Sequence, residues 1–203
     1  MIRRLAIAAL VALPLPAVAA TIESAYTDLN DANPCATVAQ AEEGDGDWAE
    51  IVCPGFRGFP VIITYGDARE SVFYGFPPGR AAVSDGWESF GPFNSVGPKI
   101  EWRYEVDGDL TRPFATIHRW FVSQPEDSEK TTEVLVVEKV GTLAERQGCV
   151  VGYVVASGDP KANEKARAIA DEQVRGFACG ADEPVIIADG AELPEPYRAP
   201  PAE

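Results

Sequence analysis

The chain has 203 residues, 46% of them hydrophobic, with 17 lysines and arginines against 32 aspartates and glutamates and a formal net charge of −15. This length supports one domain with a real core, and the charge repels nucleic acid and anionic lipid, which argues against both as partners. The same charge attracts cationic partners or metal cations, and it also keeps an exported protein soluble.

Arg3 and Arg4 form a short basic start, Leu5 to Val18 is almost wholly apolar, and Ala17, Ala19 and Ala20 are small. Those three parts make a cleavable export signal over residues 1–20. The apolar run falls short of the ~20 residues of a comfortable membrane span, so no membrane insertion is expected after cleavage. Cleavage removes Arg3 and Arg4 from the 17 basic residues and leaves about 183 residues with a balance of −17. The expected localisation is periplasmic or secreted.

Thr21 to Leu29 carries a weak strand or turn pattern. Asp31 to Asp47 is polar and broken by Asn33-Pro34 and Gly44-Asp45-Gly46-Asp47. Trp48 to Cys53, Phe59 to Tyr65 and Glu70 to Tyr74 read as strands, the last two joined by a Gly66-Asp67 turn. The connection from Phe76 to Pro98 is long, rich in proline and glycine, and carries Trp87, Phe90 and Phe93. Long connections often bind, and aromatics on them can anchor a partner. Equally, these rings can cap an open sheet face. Trp87, Phe90 and Phe93 are the candidate binding residues.

Lys99 to Val106 is the clearest strand: Ile100, Trp102, Tyr104 and Val106 alternate with Glu101, Arg103 and Glu105. That alternation predicts one buried and one wet face. Phe114 to Val122 and Thr132 to Val140 continue the series, and Cys149 to Ala156, apolar at nearly every position, reads as a central strand covered on both sides. Asp159 and Pro160 then open a helix to Phe177, with Ala162, Ala166, Ile169, Ala170, Val174 and Phe177 on one stripe.

The expected fold is α+β, a single antiparallel sheet of five to seven strands with the C-terminal helix on one face; a β-sandwich or partly closed barrel is the alternative. One domain is expected over residues 21–181, followed by an acidic, proline-rich tail over 182–203 that reads as disordered.

All four cysteines, Cys35, Cys53, Cys149 and Cys179, lie after the signal. An even count in an exported chain implies two disulfides. The strand from Cys149 travels ~23 Å and the helix returns ~27 Å, which brings Cys179 back to Cys149. By elimination Cys35 pairs with Cys53.

No catalytic set emerges. His118 is the only histidine, on a strand face with Thr116 and Trp120. The acidic pairs Glu42 and Glu43, Asp45 and Asp47, and Asp107 and Asp109 sit in glycine-containing turns, where aspartate bonds its own backbone. Neither the group Asp28, Asn30, Asp31 and Asn33 nor the group Glu42, Glu43, Asp45 and Asp47 matches the twelve-residue calcium loop, and no Cys-x-x-Cys or second histidine supports a metal site. No glycine-rich phosphate loop or other cofactor motif appears. No cofactor or metal is assigned.

Cys53-Pro54-Gly55-Phe56-Arg57-Gly58, Asp67-Ala68-Arg69-Glu70-Ser71, Ile100-Glu101-Trp102-Arg103, and Ala162-Asn163-Glu164 running on to Ala170-Asp171 resemble stretches of uncharacterised exported bacterial proteins. The resemblance implies export and a single domain, and it carries no site residues.

The expected function is a non-enzymatic binding or interaction protein of the envelope, with a cationic protein or a glycan as partner. One version is an acidic inhibitor of a cationic cell-wall hydrolase. The alternatives are a structural envelope component and a glycan hydrolase that works through two carboxylates.

Overall fold

The computed structural model describes residues 20–30, 34–79 and 88–198. The expected export signal, Trp87, and the last residues of the tail lie outside the described residues.

The described strands are β1 (Thr21–Asp28), β2 (Ala36–Gln40), β3 (Trp48–Pro54), β4 (Pro60–Gly66), β5 (Arg69–Tyr74), β6 (Glu88–Phe90), β7 (Asn94–Asp107), β8 (Leu110–Gln124), β9 (Asp127–Lys139), β10 (Cys149–Val155), β11 (Val185–Ile187) and β12 (Pro196–Arg198), with one helix, α1 (Ala162–Gln173). They form two six-stranded sheets rather than one. The first runs β1-β7-β8-β9-β10-β11 and the second β12-β6-β5-β4-β3-β2. Every pairing is antiparallel except β10 with β11. The single sheet of the sequence reading is therefore corrected to two packed sheets, in keeping with the sandwich alternative. Alternation along a strand tells which residues face inward, but not which sheet the strand joins.

The two sheets bury Val61, Ile63, Val72, Tyr74, Phe90, Ile100, Trp102, Trp120, Val134 and Val136 between them. A second core lies between the first sheet and α1, built from Ala115, Ile117, Leu135, Val137, Val151 and Val154 against Ala162, Ala166, Ile169 and Ala170. The small alanines let the helix approach closely. Gly152 extends that fit, since a Cβ there would stand 2.9 Å from Ile169 Cγ2. β10 thus has all seven residues buried, with one face on each core.

α1 also covers the face of β7 that alternation marks as wet. Arg103 of β7 donates from Nε and Nη2 to the Asp171 carboxylate at 2.8 and 2.6 Å. Arg167 Nε of α1 donates to Glu101 at 2.7 Å. Glu101 and Arg103 are consequently buried as partnered charges, which is how such groups tolerate removal from water. Asp159 accepts from the Lys161 N–H at 2.8 Å just before the helix.

The segment expected as a disordered tail is used structurally up to Arg198. β11 extends the first sheet beside β10, and β12 extends the second beside β6. Two disulfides, Cys35–Cys53 and Cys149–Cys179, close the chain on itself. Such bonds point to an oxidising, extracytoplasmic setting. Among the described residues no helix is long and apolar enough to cross a membrane.

Candidate functional site

Among the described residues, two places besides the ion pairs under α1 gather polar side chains. The first is inside the sandwich. His118 lies on the face of β8 that looks across to the second sheet, fully buried. Its Nε2–H donates to the Gly97 carbonyl at 2.6 Å, which leaves Nδ1 to accept from the Tyr74 hydroxyl at 2.6 Å. Burial pushes its pKa down to about 4, so the ring is neutral. Both ring nitrogens are committed, so His118 is placed as a structural link inside the sandwich.

Glu88 of β6 and Glu138 of β9 occupy the same interior. Glu88 accepts the Val150 N–H and lies 4.0 Å from Arg198 of β12. Burial raises its pKa to about 7. Burial also pushes Glu138 well above the usual carboxylate range, and its Oε1 has no hydrogen-bond partner. Tyr153 is raised by burial as well. A glycosidase needs one carboxyl of raised pKa and one ionised carboxylate, and both are raised here, so the electrostatic half of the requirement is met only in part. The steric half is unmet, because Glu88 is 8% and Glu138 2% exposed, enclosed by Phe90, Trp120, Val136, Val150 and Tyr153. A sugar ring has no place between them.

The second place is on the outer face of the second sheet, and the register builds it. Glu50 of β3 pairs with Thr64 of β4, Thr64 with Ser71 of β5, and Ser89 of β6 with Tyr197 of β12. Because Val72 pairs with Glu88, Ser71 stands beside Ser89. These five residues therefore form one rung across the sheet. The rung next to it runs Trp48, Gly66, Arg69. Directly paired residues share a face, and the partners Ile51, Ile63 and Val72 face the inner core, so both rungs face outward.

Small side chains in the middle and large ones at the ends make an open groove of about 520 Å³. Thr64, Gly66, Ser71, Ser89 and Gly91 form its floor. Trp48, 42% exposed, stands at one end and Tyr197, 46% exposed, at the other. Ser89 donates its hydroxyl to the Glu70 carbonyl at 2.5 Å, which locks the floor. Arg69 donates from Nε to the Gly91 carbonyl at 2.7 Å and pairs with Asp67 at 2.5 Å. Glu70 points the other way, accepting the Val96 N–H at 2.5 Å, with its pKa raised by burial. Glu50 and Glu70 are thus on opposite faces of the sheet and do not form a working pair.

The candidate residues of the long connection separate. Phe90 is a core residue, 1% exposed, with its ring edge-on to Trp120 and Tyr153. Its place in the core corrects its reading as a surface anchor and matches the reading of these rings as cover for a sheet face. Phe93 is exposed, with the Arg69 guanidinium 4.8 Å from its ring centroid. Trp48 and Tyr197 escape the sequence reading. Trp48 begins a strand whose Ile51 and Cys53 face the core, and Tyr197 sits among prolines in what reads as a tail. Among the described residues no group of three or more histidine, cysteine, aspartate or glutamate side chains is placed to hold a metal ion. Comparison with known proteins returns no matching family model, no matching curated protein and no matching solved structure.

Proposed function

We propose that the chain is a periplasmic or secreted binding protein, without catalytic activity, that receives its partner in the groove between Trp48 and Tyr197. The observation that carries this reading is the groove itself: two exposed aromatic side chains flank a floor of small residues on a hydrogen-bonded, rigid sheet. Aromatic side chains supply large contact area at low entropic cost, and sites on strands are held more accurately than sites on loops. The export pattern of residues 1–20 and the two disulfides support the location.

The test is capture from envelope extract by the mature protein and by its W48A/Y197A variant, at low and high salt. A partner retained by the parent at high salt and lost by the variant supports the reading. Equal capture by both proteins sinks it.

A further inference from the structure

One short strand, β12, joins the groove to the interior of the sandwich. It pairs with β6 as Pro196 with Phe90, Tyr197 with Ser89 and Arg198 with Glu88. Tyr197 faces outward and ends the groove. Neighbours along a strand point to opposite faces, so Arg198 faces inward beside Glu88. Bonded and non-bonded pairs alternate along an antiparallel ladder, and the Gly91 N–H donates to the Glu195 carbonyl at 2.9 Å. Tyr197 with Ser89 is therefore a bonded pair, and Arg198 with Glu88 a non-bonded one, the kind whose side chains stand closer. β12 is the edge of its sheet, with β6 as its one neighbour there. A short edge strand with few contacts opens at lower cost than the sheet behind it.

We infer that β12 is a pH-responsive strap: when Glu88 ionises, β12 lifts from β6 and takes Tyr197 out of the groove, and when Glu88 is protonated the strap is held down. Its bearing on binding rests on the groove being the binding site. The groups that face Glu88 decide the direction. β10 brings the Val150 N–H, which Glu88 accepts, and Tyr153; β9 brings Glu138; β12 brings Arg198. Tyr153 and Glu138 add no positive charge. Among the described residues Arg198 is the one cation facing Glu88, at 4.0 Å, and it is shared with Glu183 at 3.9 Å on its own exposed side. Burial outweighs this partial compensation and holds the Glu88 carboxyl up to about 7. Lifting β12 lets water reach Glu88 and returns it toward its ordinary value of 4.5. The docked strap thus holds the proton more tightly than the lifted one. Docking is favoured at low pH and weakens as pH rises from 4.5 through 7. Each pKa unit that lifting restores shifts the opening equilibrium about tenfold.

The test is amide hydrogen exchange of the mature protein, read as protection factors so that the intrinsic pH dependence of exchange cancels. Between pH 5.5 and pH 8 the protection of the Tyr197 amide should fall about tenfold. Tyr197 should also stay less protected throughout than Val136 of β9. E88Q, which keeps an acceptor for the Val150 N–H, should hold Tyr197 at its low-pH protection across the range. D109N, which removes a charge from the turn between β7 and β8, should show the parent's fall. Three results overturn the inference: Tyr197 protection that is level with pH in the parent, a fall that E88Q retains, or Tyr197 and Val136 equally protected and falling together, which makes the opening global. None of these readings needs a partner. They therefore stand apart from capture by W48A/Y197A, whose failure would remove the groove as the binding site and leave the strap in place.

Discussion

The Tyr74 hydroxyl donates to Nδ1 of His118 across the interior at 2.6 Å, joining β5 of one sheet to β8 of the other. The far nitrogen of the same ring is held by the Gly97 carbonyl. Y74F removes the donor and leaves a buried acceptor unpaired, which costs ~1–3 kcal/mol. Urea unfolding of the two proteins should show that difference at pH 7, with groove binding unchanged in the folded variant.

The two perturbed groups of the core respond to pH in opposite senses. Glu88 titrates near 4.5 when unfolded and about 7 when folded, so the folded state holds the extra proton and stability falls as pH rises through that window. His118 titrates near 6.5 when unfolded and about 4 when folded, so stability is lost as pH falls from 6.5 toward 4. Each shift corresponds to ~3 kcal/mol. Between about 4.5 and 6.5 the two largely offset each other. E88Q keeps an acceptor for the Val150 N–H and removes one side of this balance. Its stability should exceed the parent's by ~1–3 kcal/mol at pH 8 and decline toward pH 4.5 more steeply than the parent's. Parallel curves for the two proteins across this range would contradict the assignment.

Burial pushes the Glu138 carboxyl well above the usual carboxylate range, which favours its neutral form. E138Q puts a neutral group of similar shape in its place. Thermal unfolding at pH 7 should change by less than about 1 kcal/mol, whereas E138A, which opens a cavity beside Trp120 and Tyr153, should cost ~2–4 kcal/mol.

The Cys149–Cys179 bond ties the start of β10 to the chain just beyond α1, closing a sequence separation of 30 residues. Replacing both cysteines by serine should lower stability by ~2–4 kcal/mol. Because Arg103 holds α1 separately through Asp171, the helix should remain docked in the folded variant, and its far-ultraviolet circular dichroism should match the parent's.

Much of the first sheet was legible in the sequence. The alternation of Ile100, Trp102 and Tyr104 located β7, the unbroken apolar run from Cys149 located β10, and the spacing from Ala162 to Phe177 located α1, which ends at Gln173 and gives way to a 3-10 turn over Val174–Gly176 before Phe177. Less legible were features that depend on partners distant in sequence. Glu101 and Arg103 look solvent-facing because their partners, Arg167 and Asp171, arrive more than sixty residues later. β11 and β12 have only three residues each and carry no periodic signal; they form because finished sheet edges offer them hydrogen bonds. The groove was hidden for the same reason. Trp48 and Tyr197 are 149 positions apart, and only the cross-strand register puts Tyr197 on the same outer face as Trp48.

Hydroxyl-radical footprinting of the mature protein, free and in the complex captured from envelope extract, shows whether the groove is where this protein meets its partner. Trp48 and Tyr197 should be protected, while Leu110 and Leu143, exposed away from the groove, stay as reactive as in the free protein. Unchanged reactivity of both aromatic residues, or protection confined to Leu110 or Leu143, would contradict it.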